Sequence, residues 1–177
     1  MTASKVLVAG IGNIFMGDDA FGSEVARTLA NRTLPEGVRV VDFGIRGLDL
    51  AYALLEPWDA TILIDAAPRG GSAGTIYTIE PELDSAPDNG PEEQLIEPHG
   101  MDPMRVLNMV RMLRGKPKKV VLVGCEPETL GGEEGFMGLS APVQEAVGRA
   151  VEVVEALVAD ILDKECASCS AESGASQ

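Results

Sequence analysis

The chain has 177 residues and carries 28 Asp and Glu against 14 Lys and Arg, a formal net charge of −14, with 45% hydrophobic and 24% charged residues. That length and mix suit one globular domain with a single core rather than a disordered chain, and the acidic balance argues against nucleic acid or an anionic membrane as partner, since both need basic patches. No apolar run approaches the roughly 20 residues of a membrane helix, the N-terminus lacks a signal-peptide layout, and an odd number of cysteines, 3, fits a reducing compartment; a cytoplasmic protein is expected.

Lys5 to Ala9 reads as a first strand, which Gly10 and Gly12 then break. Asp18 and Asp19 lead into a helix from about Asp19 to Arg32, with Phe21, Val25 and Leu29 at helical spacing. The pattern is strand, glycine turn, helix, and it places both carboxylates at the positive end of a helix dipole. Pro35-Glu36-Gly37 is a turn and Val38 to Phe43 a β-branched second strand. Gly44 and Gly47 frame a tight loop, and Leu48 to Leu55 is a short helix. Thr61 to Ile64 is continuously apolar, as in a strand buried on both faces, and it ends in Asp65. This β-α-β-α-β order predicts a parallel, doubly wound sheet. Gly74 to Glu80 alternates in character and follows too soon for a helical crossover, so it is predicted to run antiparallel.

From Gly70 to Met104 there is no Lys or Arg, while acidic residues and prolines accumulate, which reads as a long solvated surface loop. His99, the only histidine of the chain, ends it. Asp102-Pro103 opens a helix to about Arg114, and Lys118 to Val123 is another buried strand ending at Gly124-Cys125. An irregular Gly-rich stretch covers Glu126 to Leu139. Ser140 then caps a long helix striped by Val143, Val147, Val151, Val154, Val158 and Ile161. Residues 1–163 are expected to form one domain, and 164–177 to be a disordered tail.

Three residues converge in this layout. Asp19 follows the first strand, Asp65 ends the third, and His99 begins the next crossover. If the first and third strands pair directly, all three reach one edge of the sheet, where open α/β sheets build their sites. Two carboxylates and an imidazole suit a divalent transition metal, nickel or zinc. Taken singly, each has a plainer reading: a helix cap, a turn former, an exposed polar residue. Other motifs are weaker. G-I-G-N-I-F resembles a dinucleotide fingerprint with Asp42 as ribose acid, but Phe15 stands in place of the third glycine, and Asp18 and Asp19 would repel a pyrophosphate. Cys125 with His99 would make a thiol nucleophile and base, against the plainer reading of a small core residue. Cys166 and Cys169 form a lone C-x-x-C in the expected tail, and Met101, Met104, Met109 and Met112 are expected to pack rather than ligate.

The chain resembles the hydrogenase maturation endopeptidases, which process the large subunits of nickel-iron hydrogenases. The resemblance rests on G-I-G-N-I-F-M-G-D-D-A-F-G (10–22), D-F-G-I-R-G (42–47), L-I-D-A-A (63–67), P-H-G-M-D-P-M-R-V-L (98–107), V-L-V-G-C-E-P-E-T-L (121–130) and G-L-S-A-P-V-Q-E-A-V (138–147), and covers Lys5 to about Leu162. It implies a three-layer α/β/α sandwich on a five-stranded mixed, mostly parallel sheet of the phosphorylase/hydrolase-like kind. It implies hydrolysis of one peptide bond near the C-terminus of the large-subunit precursor, with nickel already in that precursor as the recognition signal. The family's metal-contacting positions, which are also its catalytic ones, fall on Asp19, Asp65 and His99. Where the family can carry Glu at the first of these, this chain has Asp19, one methylene shorter, with Asp18 beside it as a possible substitute.

The expected mechanism is metal-guided hydrolysis. The substrate's nickel docks at Asp19, Asp65 and His99, and a nearby carboxylate or metal-bound water attacks the positioned bond. Asp42, the Gly44–Gly47 loop and Arg46 are candidates for holding the substrate peptide. The protein is expected to act as a monomer on the hydrogenase precursor. Two rival classes share parts of this pattern: a nickel-sensing chaperone that binds the large subunit without cutting it, and a nucleotide-binding Rossmann protein.

Overall fold

The computed structural model describes residues 4–82, 102–131 and 135–172. Its elements are β1 (Val6–Ile11), a 3-10 turn (Gly17–Ala20), α1 (Phe21–Ala30), β2 (Val38–Gly44), α2 (Gly47–Ala53), β3 (Ala60–Ala66), β4 (Ile76–Ile79), α3 (Pro103–Met112), β5 (Val120–Cys125) and α4 (Ala141–Glu172). The strands form one sheet in the order β2-β1-β3-β5-β4. All neighbours are parallel except β4, which pairs antiparallel with β5 at the edge. The mixed sheet of the expected sandwich is therefore present, including its reversed strand.

Alternation along β1 builds the three layers. Val6 and Val8 point to one face, where they pack with Phe21, Val25 and Leu29 of α1 and the valine stripe of α4. Leu7, Ala9 and Ile11 point to the other, against Leu50, Ala51 and Leu54 at α2 and Val106, Leu107 and Val110 of α3. Both faces are thus covered, which is why β1, β3 and β5 read as unbroken apolar runs. Asp102 caps α3 by accepting the Met104 N–H at 2.9 Å, with Pro103 in the first turn as its fixed φ favours.

Three expectations change. Asp18 and Asp19 do not open α1: they sit in the separate 3-10 turn, and α1 starts at Phe21 with no side-chain cap. The C-terminal helix runs past residue 163, the expected end of the domain. α4 continues to Glu172, through most of the stretch expected to be disordered, because a helix already nucleated by its buried half propagates through residues of fair helix propensity. Of the methionines, Met109 packs into the α2–α3 core while Met112 is exposed on the same helix. Among the described residues, no helix is long and apolar enough to cross a membrane. Met101, His99 and the acidic Pro-rich segment from Leu83 onward lie outside the described residues.

Candidate active site at the carboxyl edge of the sheet

β1 pairs directly with β3, with Gly10 opposite Ile64. From β1 the chain turns to β2 on one side; from β3 it turns to β5 and β4 on the other. The crevice beyond the carboxyl ends of β1 and β3 is the topological switch point of the sheet, where open α/β folds bind ligands. Asp65 is the penultimate residue of β3, and Asp19 sits in the turn that follows β1.

The glycines of the first motif make this edge compact. A Cβ on Gly22 would run into the carbonyl oxygens of Ile11 and Ile64, so only glycine lets α1 lie directly on β1 and β3. Gly12 has φ 152°, and a side chain there would strike the Asp19 carbonyl.

Asp65 is only 6% exposed. Its Oδ1 accepts the N–H of Ala66 at 2.9 Å. Burial first, and the charge of Asp19 second, push its carboxyl well above the usual range; Asp102 adds in the same direction, while the Ala66 N–H opposes. Asp19 is half-buried, and its Oδ2 accepts the Asn13 N–H at 2.9 Å. Burial raises its pKa too, against that hydrogen bond. Two carboxylates thus share a low-dielectric corner at this edge. Such a pair has a raised affinity for a proton. His99, the third expected member, lies outside the described residues, and among the described residues no cluster of three potential metal ligands occurs.

Asp18 has a different fate from its neighbour. It is 0% exposed and accepts from the N–H groups of Glu128 (2.8 Å), Thr129 (3.0 Å) and Ser140 (2.7 Å) and from the Ser140 hydroxyl (2.9 Å). Burial alone would raise its pKa, but these hydrogen bonds outweigh burial and hold it below the usual value. With its oxygens so occupied, Asp18 does not substitute for Asp19. Asp42 is likewise committed: it accepts from the Ser23 hydroxyl (2.7 Å) and the Gly44 N–H (3.0 Å) and pairs with Arg27 (3.3 Å), tying α1 to the end of β2. Arg46 bonds to the Asp42 and Phe43 carbonyls and pairs with Asp49 in its own turn.

Sequence reasoning missed Glu126. It follows β5 at the same edge, is 5% exposed, and accepts from the N–H groups of Arg69 and Gly70 and from the Tyr77 hydroxyl (2.8 Å). It fixes the loop that leaves β3 just after Asp65. Its place after a buried strand was a usable signal. Cys125 is fully buried, and burial, then the charge of Asp18, push its thiol up to about 11. A thiol in that state is no nucleophile near neutral pH, so the Cys125–His99 pairing fails on the cysteine.

A groove of about 300 Å³ is lined by Gly12, Asn13, Phe15, Asp42, Gly44 and Ile45; neither Asp19 nor Asp65 lines it, but Asn13, whose N–H meets Asp19, does. A larger cavity, about 680 Å³, runs along α3 and the turn into β5, and neither Asp19 nor Asp65 lines it.

Fold and edge chemistry together define an α/β/α domain that carries a carboxylate pair at its switch point. Family comparison makes this specific: the family model for hydrogenase maturation proteases matches residues 23–157, and the chain belongs to that family. It is 32% identical over 152 residues to the hydrogenase 2 maturation protease of Escherichia coli, covering 85% of this chain and 88% of the relative. Its structure superposes on the hydrogenase maturating endopeptidase HybD from E. coli with a TM-score of 0.67 at 28% identity, covering 88% of this chain and 93% of that one. The [NiFe] hydrogenase maturation protease HycI from Thermococcus kodakarensis gives 0.66 at 26% identity, with 90% and 93% covered. The protein is a peptidase of hydrogenase maturation.

Proposed function

We propose that this peptidase removes a short C-terminal extension from the nickel-loaded large-subunit precursor of a nickel-iron hydrogenase, and that the nickel carried by the precursor is its recognition signal. The observation that carries this reading is the Asp19–Asp65 pair. Its mutual repulsion and burial raise the proton affinity of Asp65, and the most direct relief is a cation brought in by the substrate. His99 completes the donor set. It stands three residues before Asp102, whose charge already reaches Asp65. Carboxylate oxygen and imidazole nitrogen suit nickel.

In this reading the metal belongs to the substrate, and the enzyme supplies orientation. Asp19, fixed by the Asn13 N–H, and Asp65, fixed by the Ala66 N–H, are the pre-set arms that hold the loaded precursor. The groove between Asn13 and Ile45 receives the chain leading to the scissile bond. Holding the bond in one place removes much of the entropic part of the barrier. Water then adds across the peptide bond, its oxygen to the carbonyl carbon and its proton to the departing amine. The site acts in the cytoplasm on a protein partner, as a monomer.

The test is a cleavage assay on nickel-loaded and nickel-free precursor in parallel, read by intact mass. Loss of a C-terminal peptide from the loaded form alone is the expected result, and His99→Ala should abolish it with the fold intact. Nickel-dependent complex formation without peptide release would replace the peptidase reading with that of a chaperone. A His99→Ala variant that processes at the normal rate would remove the imidazole from the site.

A further inference from the structure

Asp18 and Asp19 are consecutive in a 3-10 turn, where successive side chains leave the axis about 120° apart. One therefore points into the protein while the other faces the sheet edge. The inward one gathers donors from far along the chain: Glu128, Thr129 and Ser140 lie 110 to 122 residues away. The backbone repeats the connection. Asp18 N–H donates to the Thr129 carbonyl at 3.0 Å, Gly17 N–H to the Phe136 carbonyl at 2.6 Å, and Phe136 N–H to the Phe15 carbonyl at 3.0 Å. The 3-10 turn is held from behind by Glu128, Thr129, Phe136 and Ser140 and from in front by Asn13, whose N–H meets Asp19.

From this arrangement we propose that Asp18 is a positioning residue of the peptidase: by clamping Glu128, Thr129 and Ser140 to the turn, it fixes the direction in which Asp19 presents its carboxylate to the substrate. This rests on the proposed role of Asp19. A carboxylate is needed because three N–H groups and one hydroxyl converge on its two oxygens. The amide of Asn, nearly the same shape, would set an NH2 group among those donors. A turn released from the clamp lets Asp19 rotate away from Asp65 and from the Asn13 N–H, without touching the chemistry of Asp19 itself.

The experiment compares Asp18→Asn with Val158→Ala, a core variant at the far end of the valine stripe that lowers stability without approaching the edge. Folding is followed by circular dichroism and Tm, kcat and KM are measured on the nickel-loaded precursor, and the Asn13 amide resonance reports the Asp19 hydrogen bond. Asp18→Asn is expected to lower kcat/KM at least ten-fold and to shift the Asn13 amide, while Val158→Ala keeps wild-type kinetics and an unshifted amide at a comparable loss of Tm. A folded Asp18→Asn protein with wild-type kinetics and an unmoved Asn13 amide would overturn the proposal, as would an equal loss of activity in Val158→Ala. If Asp18→Asn does not fold, Ser140→Ala removes one of the four bonds and is expected to move the same amide in the same direction with a few-fold loss; an unmoved amide there overturns it. If the wild-type enzyme cleaves no precursor, the functional reading has failed, and the Asn13 amide in the variants still decides whether Asp18 positions Asp19.

Discussion

Asp19 raises the proton affinity of Asp65: the turn after β1 brings a second carboxylate to a position where its charge adds to the burial of the first. The sign of the resulting pH dependence follows. A carboxyl whose folded pKa lies above its unfolded value of 3.8 favours the folded state when protonated. Its contribution is fully present below that unfolded value and is lost as pH rises through the folded one. Asp65→Asn should therefore gain stability over wild type, by an amount that grows from about pH 4 upward and levels off above the raised pKa. Urea unfolding of both proteins across pH 4 to 8 checks this, and a difference independent of pH would contradict it. Asp18 has the opposite sign. Its lowered pKa gives stability above 3.8 that disappears as pH falls through the folded value.

Two glycine-to-alanine changes should move stability in opposite directions. At Gly22 the new methyl meets backbone carbonyls of β1 and β3, which cannot rotate aside as a side chain would, so the cost should be about 3 kcal/mol or more. At Gly148, an exposed position inside α4 with nothing near its absent side chain, alanine should add about 0.5–1 kcal/mol through helix propensity. Thermal unfolding of the two variants reads both signs in one experiment.

Much of this layout is legible in the sequence because β1, β3 and β5 are buried on both faces. Their apolar runs stand out, and the short loop before β4 betrays its reversed direction. The meeting of Asp19 with Asp65 follows from topology alone, once β1 neighbours β3. What sequence does not reveal is which of two adjacent aspartates faces the crevice. Asp18 is decided by backbone N–H groups more than a hundred residues away, and N–H groups carry no sequence signature. Glu126 had one readable sign, its place after a buried strand, but its partners are mostly main chain and gave no further one. The continuation of α4 to Glu172 was hidden because the stretch from Cys166 onward lacks the apolar period that marks a packed helix.

The buried thiol gives a clean separation from cysteine peptidases. Cys125→Ala should retain full processing activity, with a stability loss on the order of 1 kcal/mol from the small cavity. In a background with Cys166→Ser and Cys169→Ser, the native protein should resist alkylation by iodoacetamide at pH 7 to 8, because a thiol raised to about 11 and fully buried offers almost no thiolate. Rapid labelling, or loss of cleavage in Cys125→Ala, would return the thiol to the mechanism.

The acidic pair also predicts a specific failure of additivity. At pH 8, replacing either carboxylate removes the same repulsion, so Asp19→Asn and Asp65→Asn should each stabilise the fold, but the double variant should gain less than the sum of the two. A double-mutant cycle from urea denaturation measures that shortfall. A sum that is fully additive would mean the two charges do not feel one another, which would remove the reason for a cation to dock between them. The same three proteins should process nickel-loaded precursor poorly or not at all, although each is at least as stable as wild type. Stability gained where activity is lost is what a site built from opposed charges should show, because the repulsion that weakens the folded protein is what a cationic group on the substrate relieves. If Asp65→Asn were both more stable and fully active, the repulsion would have no function, and the contact to the substrate would have to lie elsewhere on the edge.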